Sequence, residues 1–105
     1  MSASNKILVR IKQLVNLAEP TATVIVYGSY ARGQASDESD IDVLILVDSE
    51  KVTYNDEQRI KYPLYDLEFE TGRIISPLIL TRKDWETRHI ETPFYMNVKK
   101  DGVLL

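Results

Sequence analysis

Apolar residues along the chain recur at two spacings, and these spacings predict most of its helices and strands. Helical spacing dominates near the N-terminus and predicts an amphipathic helix with Ser4 as its cap and Pro20 just beyond its end. The apolar positions of this helix are Ile7, Leu8, Ile11, Leu14, Val15 and Ala18. Two short runs of β-branched and apolar residues, Thr23–Tyr27 and Ile41–Val47, predict buried strands.

Between Asn55 and Gly72 the pattern fits either a helix or a strand. As a helix it has Asn55 as its cap and Gly72 just past its end, although Pro63 argues against a continuous helix. Its apolar face would consist of Ile60, Leu64, Leu67 and Thr71. As a strand, residues 65–69 alternate between apolar and acidic side chains. We favour the helix, because both of its end signals fit and residues 73–81 already supply a third strand.

Two short helices are predicted near the C-terminus. The first begins after Thr81, whose hydroxyl is placed as a cap, and runs through Trp85. The second has Thr92 as its cap, Pro93 at its first position and Gly102 just past its end. A short helical turn is also expected at residues 30–32.

The order of these elements predicts an α/β (α+β) fold, with a small mixed β-sheet and helices packed on one face. At 105 residues, with 44% apolar and 28% charged residues, the chain reads as one globular domain spanning residues 1–105. Its apolar runs are too short to span a bilayer. Arg10 and Lys12 interrupt the stretch in which a signal peptide would be apolar. We therefore expect a cytoplasmic protein with no membrane partner.

The composition limits the chemistry that the chain can perform. The absence of cysteine excludes disulfides, thiolate catalysis and sulfur-ligated zinc. His89 is the only histidine and is expected at the surface, so metal chemistry would use oxygen ligands, which favours magnesium or manganese. A net charge of −3 with scattered basic residues disfavours stable nucleic-acid binding.

The candidate chemistry is concentrated between the first two strands. Gly28 lets a phosphate approach the backbone closely, Ser29 adds a hydroxyl, and the N–H groups of the following turn can face an anion. Asp40 and Asp42, two apart on a strand, are expected to project to the same side. Their carboxylates repel each other unless a cation lies between them, so this pattern predicts a polyphosphate site with a divalent metal ion.

These residues also resemble a known family. Residues 28–33, Gly-Ser-Tyr-Ala-Arg-Gly, and residues 39–44, Ser-Asp-Ile-Asp-Val-Leu, match in spacing the motifs of the minimal nucleotidyltransferase (MNT) family of the DNA polymerase beta superfamily. A softer likeness covers residues 70–78 and 93–103. The resemblance implies a nucleotidyltransferase fold and a metal-dependent transfer of a nucleoside monophosphate, AMP from ATP, to an acceptor with release of pyrophosphate.

The resemblance also assigns roles to individual residues. Asp40 and Asp42 match the first two metal carboxylates, so both are candidate catalytic and Mg²⁺ (or Mn²⁺) ligands. Gly28 and Ser29 would hold the β- and γ-phosphates of the nucleoside triphosphate. Arg32 either reaches the triphosphate as well or is a solvated turn residue.

The sequence departs from the family at a third carboxylate, which usually lies on the third core strand. The strand expected at 73–81 contains no acid. If residues 65–69 formed that strand instead, Asp66 would be the natural third acid, with Glu68 as the next choice. The preference for a helix there makes Asp66 a surface residue.

Two functions therefore remain open at this stage. Family members of this size resemble the antitoxin half of toxin–antitoxin pairs, with a helical partner of the HEPN class whose residue would receive AMP. The alternative is a catalytically weak antitoxin or binding subunit that acts by contact with its partner or as a homo-oligomer.

Overall fold

The structure, a computed structural model, describes residues 3–33, 40–88 and 90–105. Its elements are α1 (Ala3–Ala18), β1 (Thr23–Tyr27), β2 (Ile41–Val47), α2 (Tyr54–Thr71), β3 (Ile75–Thr81), α3 (Arg82–Thr87), α4 (Pro93–Asp101) and β4 (Val103–Leu104). Ser39 of the second motif and His89, the predicted surface histidine, lie outside the described residues. Among the described helices, none is both long and apolar enough to cross a membrane.

The four strands form one mixed sheet in the order β3-β2-β1-β4. β1 pairs antiparallel with β2, so that Tyr27 lies opposite Asp42. β2 pairs parallel with β3, which places Ser76 beside Asp42. The sequence-based prediction of a small mixed sheet is confirmed, and the register brings the ends of three strands together at the polar end of β2.

The helices are divided between the two faces of the sheet. α1 and α2 pack on one face, as expected from their apolar periodicity. The buried side chains of this cluster include Ile11, Val15, Val24, Val43, Ile45, Ile60, Leu64 and Leu67. The prediction that the helices pack on one face holds for this pair. It is wrong for α3 and α4, which cover Leu44 and Leu46 on the opposite face with Trp85 and Val98.

The start of α2 differs from the sequence-based prediction. Thr53, not Asn55, is the cap: its hydroxyl accepts a hydrogen bond from the backbone N–H of Asp56 at 3.1 Å. The Asp56 carboxylate in turn accepts from the Thr53 N–H at 3.1 Å, which completes a capping box. The other end is as predicted, since Gly72 adopts a left-handed conformation with φ 71°.

In α1 the helix begins at Ala3, so Ser4 lies in its first turn and is not the cap.

α2 is continuous through Pro63, which the sequence suggested would interrupt it. A proline inside a helix costs about 3 kcal/mol, because it removes one backbone hydrogen bond and crowds the preceding turn. Burying one large aliphatic side chain contributes about 1.5–3 kcal/mol, and α2 buries Ile60, Leu64 and Leu67. Packing therefore outweighs the local cost of Pro63.

Thr71, which was predicted on the apolar face of α2, is exposed. Its hydroxyl donates to the Leu67 carbonyl at 2.7 Å.

The C-terminal strand β4 was not predicted from the sequence. It contains only two residues and pairs with Ile25 and Val26 of β1. Gly102 makes this approach possible, because a Cβ atom there would lie 2.4 Å from the Val98 carbonyl oxygen and 2.9 Å from a methyl of Ile25. As predicted, α4 begins at Pro93, after the cap Thr92, and ends before Gly102.

Candidate functional site

A tight turn follows β1 and contains the first motif. The N–H of Arg32 donates to the Gly28 carbonyl at 3.2 Å, and the N–H of Gly33 donates to the Tyr30 carbonyl at 3.3 Å. Gly28 and Gly33 have φ of 74° and 70°, which favours glycine at both positions. The helical turn expected at residues 30–32 is therefore present only as these hydrogen-bonded turns. Ser29 lies between Gly28 and Tyr30, half-buried.

Gly28 is in close contact with Asp42. A Cβ atom built on Gly28 would lie 2.5 Å from Oδ2 of Asp42, closer than any non-bonded contact allows. Tyr27, opposite Asp42 in the ladder, ends β1 just before this glycine. The glycine of the first motif is thus what allows the turn to lie against the carboxylate of the second.

The surroundings of Asp42 disfavour its ionised form. Its pKa is raised above the ordinary value, first by partial burial and then by the neighbouring Asp40, while Arg32 acts in the opposite direction. The pKa of Tyr27 is also raised, by burial and by the charge of Asp42. Asp40 is exposed and directly precedes β2. The structure thus brings Gly28, Arg32 and Asp40 close to Asp42, and Ser29 follows Gly28 in the turn.

A cavity of about 220 Å³ opens between this turn and α4. It is lined by Tyr27, Gly28, Arg32, Phe94, Asn97, Val98 and Asp101. The rings of Tyr27 and Phe94 pack edge to face with their centroids 5.2 Å apart. The contribution of α4 was not predicted from the sequence. The sequence signals there were the softer family likeness of residues 93–103 and the four-residue spacing of Phe94 and Val98, which the buried Val98 explains equally well as core packing.

No third carboxylate joins Asp40 and Asp42 among the described residues, where no group of three or more potential metal-ligating His, Cys, Asp or Glu residues occurs. The β3 position beside Asp42 is Ser76. Asp66 and Glu68 are on α2, which packs on the sheet face opposite Leu44 and Leu46. The alternative strand at residues 65–69 is therefore wrong.

The donor set fits a divalent cation that is held together with a phosphate. Mg²⁺ is usually bound by one or two carboxylates and completes its coordination with water and substrate phosphates. Asp40 and Asp42 supply two carboxylates, and a cation between them would offset the burial and the repulsion from Asp40 that raise the pKa of Asp42.

Arg73, which follows α2, also contacts the turn after β1, on the sheet face that α1 and α2 cover. The Arg73 guanidinium lies over the Tyr30 ring, with Cζ 5.4 Å from the ring centroid. Tyr30 packs against the core formed with α1 and α2. This contact supports the middle of the turn after β1, and no local sequence signal pointed to it, because the two residues are more than forty positions apart.

The raised pKa of Asp42 predicts a specific pH dependence of stability. Because the folded chain binds this proton more tightly than the unfolded chain, the ionised carboxylate lowers stability once the pH exceeds both pKa values. We expect Asp42→Asn to raise the melting temperature at pH 7 without divalent metal by about 2–4 °C, or about half a kcal/mol after allowance for solvent screening.

This gain should shrink as the pH falls through the raised pKa of Asp42 and vanish below the unfolded value, since both proteins are then neutral at this position. Thermal melts followed by circular dichroism from pH 3 to pH 8, with a chelator present, measure it. A gain that stays constant over this range would contradict the electrostatic origin.

Comparison with known proteins agrees with the fold and the motifs. A protein of Methanocaldococcus jannaschii named as a candidate protein adenylyltransferase is 41% identical over 86 residues, covering 76% of this chain and 74% of that protein. The crystal structure of a toxin–antitoxin with AMP-PNP has a TM-score of 0.63 at 17% identity, covering 98% of this chain and 72% of that one.

Two further structures share this fold. The structure of a candidate minimal nucleotidyltransferase has a TM-score of 0.63 at 23% identity, covering 96% of this chain and 94% of that one. A mutant of the toxin–antitoxin MntA–HpeT has a TM-score of 0.61 at 19% identity, covering 100% and 72%.

The family model of the nucleotidyltransferase domain matches residues 5–103, nearly the whole chain. The match includes the glycine-serine turn, both aspartates and α4. The chain therefore belongs to the nucleotidyltransferase domain family.

Proposed function

We propose that this chain transfers AMP from ATP to a hydroxyl group on a partner protein, with Mg²⁺ or Mn²⁺ as its metal ion. The observation that carries the proposal is the close contact between Gly28 and Asp42, which brings the glycine-serine turn directly beside two carboxylates. The relative named as a protein adenylyltransferase supports a protein acceptor and AMP as the transferred group.

The residues of the site have complementary tasks in this reaction. Gly28 and Ser29 would hold the β- and γ-phosphates through backbone N–H groups and the serine hydroxyl, and Arg32 would neutralise part of their charge. Asp40 and Asp42 would hold the metal ion. When bound, the metal ion neutralises charge that develops on the phosphates and orients the reacting oxygens. The acceptor oxygen attacks the α-phosphorus and its proton passes to solvent, the bond from the α-phosphorus to the oxygen that bridges it to the β-phosphate breaks, and pyrophosphate leaves with that oxygen.

The cavity beside α4 would receive part of the nucleoside. At about 220 Å³ it is smaller than the roughly 300 Å³ at which small-molecule sites begin, so it can enclose only part of the nucleotide. Phe94 and Tyr27 offer aromatic surface there, and Asn97 and Asp101 offer polar groups. The triphosphate would then extend along the turn toward Asp42.

The acceptor is proposed to belong to a toxin of a toxin–antitoxin pair, in line with the resemblance to antitoxins that act with HEPN-type partners. Two of the structures that share this fold are toxin–antitoxin structures, one of them with AMP-PNP.

Incubation with ATP labelled at the α-phosphate tests the proposal. We expect the purified chain, its neighbouring gene product and Mg²⁺ to yield a labelled partner protein and one pyrophosphate per transfer. A chelator should abolish the label, and ATP labelled at the γ-phosphate should give none. Labelling from the γ-phosphate would show phosphorylation and would contradict nucleotidyl transfer.

A second function, binding without turnover, is favoured by one observation. The β3 position beside Asp42 is Ser76, so the strand supplies no carboxylate to take the proton of the attacking hydroxyl. A binding subunit would form a stable complex with the partner, leave it unlabelled, and keep that complex after Asp42→Asn. The same labelling experiment, read together with co-purification, separates the two functions.

A further inference from the structure

Four exposed aromatic side chains form a stripe along the outer side of α2. Tyr54, Tyr62, Tyr65 and Phe69 have 73%, 58%, 43% and 95% of their surface exposed. At about 100° per residue, these four positions fall within an arc of about 80°. The rings of Tyr62 and Tyr65 pack edge to face with centroids 6.4 Å apart. The buried residues of α2 lie on the opposite side of the helix, so this aromatic stripe faces away from the sheet.

The exposed area of the stripe is enough to form one half of a small interface. An aromatic side chain offers about 200 Å², so the four expose about 500 Å² together, in the upper part of the range for the largest apolar patch on a monomer. Two such stripes in contact would bury about 1,000 Å², which is the lower limit for a specific interface. The area therefore fits a second copy of the chain.

We infer that the aromatic stripe of α2 is the interface of an antiparallel homodimer. The register that interleaves the aromatic rings of the two copies has its two-fold axis between Leu64 and Tyr65. Phe69 of one copy then falls between Tyr54 and Tyr62 of the other, and the aromatic rings of the two copies alternate along the contact. A two-fold axis makes every such contact occur twice.

The charges beside the stripe fit the same register. Lys61 and Glu68 lie on one flank of the stripe, and the two-fold axis places Lys61 of one copy opposite Glu68 of the other. Within one chain, Lys61 has a long contact of 3.6 Å with Glu57. On the other flank, Asp66 comes opposite Pro63, and the Asp66 residues of the two copies lie three positions, about 4.5 Å, apart along the helix axis. Opposite charges at the rim fix the register of such an interface more than they add affinity.

This dimer leaves the candidate nucleotide site open. α2 packs on one face of the sheet, whereas the cavity lies beside α4 on the other. Two copies could therefore each bind a nucleotide.

Sedimentation equilibrium of the full chain over roughly 1–500 µM tests the inference, since an interface of this size is expected to have a micromolar Kd. Phe69→Glu should weaken self-association about 30-fold or more, because it places a charge between the Tyr54 and Tyr62 rings of the other copy. Leu17→Glu, at an exposed position of α1, is the matched control and should leave the Kd unchanged. Both positions are exposed, so the circular dichroism melts of both variants should match the parent.

A charge exchange tests the register itself. Lys61→Glu and Glu68→Lys should each weaken self-association, because each places like charges opposite one another. An equimolar mixture of the two variants should form a heterodimer of parental affinity, because every facing pair is then opposite in charge. A monomeric parent chain over the whole concentration range would overturn the inference, and so would a dimer insensitive to Phe69→Glu or a mixture without a heterodimer. A stripe that serves only a different protein would give the monomeric result.

Discussion

Asp42→Asn is expected to reduce AMP transfer about a thousandfold or more while the chain stays folded. The amide keeps the shape of the carboxylate but loses the charge that would hold the metal ion against the phosphates. The loss of several kcal/mol of transition-state stabilisation corresponds to this factor. The measurement is the initial rate of label transfer from ATP labelled at the α-phosphate, with saturating Mg²⁺.

Asp66→Asn is the matched control for this change. It makes the same chemical substitution on α2, on the far side of the sheet, and should alter the rate by no more than about twofold. Asp40→Asn should also reduce the rate, although Asp40 is more exposed than Asp42. Equal losses from Asp42→Asn and Asp66→Asn would contradict the assignment of the site.

Metal-dependent stabilisation gives a second readout that does not depend on the acceptor. Mg²⁺ with a non-hydrolysable ATP analogue should raise the melting temperature of the parent chain and of Asp66→Asn. It should have little effect on Asp42→Asn, which starts from a higher melting temperature without metal. The two melting temperatures should therefore converge or cross when metal and nucleotide are added.

Gly28→Ala is expected to lower the free energy of unfolding by about 2–4 kcal/mol and the melting temperature by about 10–20 °C. The left-handed backbone at φ 74° costs about 1–2 kcal/mol for a residue with a Cβ atom. The new Cβ would also lie 2.5 Å from the Asp42 carboxylate, which must be displaced at a further cost of about 1–2 kcal/mol. Chemical denaturation followed by circular dichroism measures the loss.

Gly33→Ala measures the backbone cost separately from the cost of displacing the Asp42 carboxylate. Its backbone is also left-handed, with φ 70°, but an added Cβ atom would have no other atom within 4 Å. This variant should lose only the backbone contribution of about 1–2 kcal/mol.

A double-mutant cycle isolates the contact with the carboxylate. In an Asp42→Ala background the nearest remaining atom of residue 42 is its Cβ, 3.6 Å away, an ordinary contact. The cost of Gly28→Ala should then fall to that of Gly33→Ala, which gives a coupling energy of about 1–2 kcal/mol between positions 28 and 42. No coupling would mean that the close approach of the turn to Asp42 has no energetic consequence.

The elements predicted most accurately from the sequence are those with strong local signals. β1 and β2 have the predicted bounds, because each is a short apolar run rich in β-branched residues with polar residues on both sides. The helix at α2 was chosen on its end signals, and Gly72 ends it as expected. The predicted cap, Asn55, lies two positions after the observed cap, Thr53. Thr53 caps the helix because it exchanges two hydrogen bonds with Asp56.

The residues of the candidate site were found from the sequence because the motif is local. Gly28 and Asp42 are only fourteen positions apart, and the antiparallel pairing of β1 with β2 brings them together. The contributions of Phe94 and Asn97 could not be found in this way, since α4 reaches the cavity only after the chain has crossed the sheet.

The sequence alone predicted the backbone conformation of most segments, the candidate chemistry of the motif and the resemblance to a nucleotidyltransferase. Propensity, apolar spacing and capping act over a few residues, so they can be read along the chain. Only the tertiary structure decided which side chains face each other. It placed Ser76 beside Asp42, moved Asp66 to the far side of the sheet, and divided the helices between two faces. Strand register and layer order depend on contacts between distant segments, and a local pattern does not contain them.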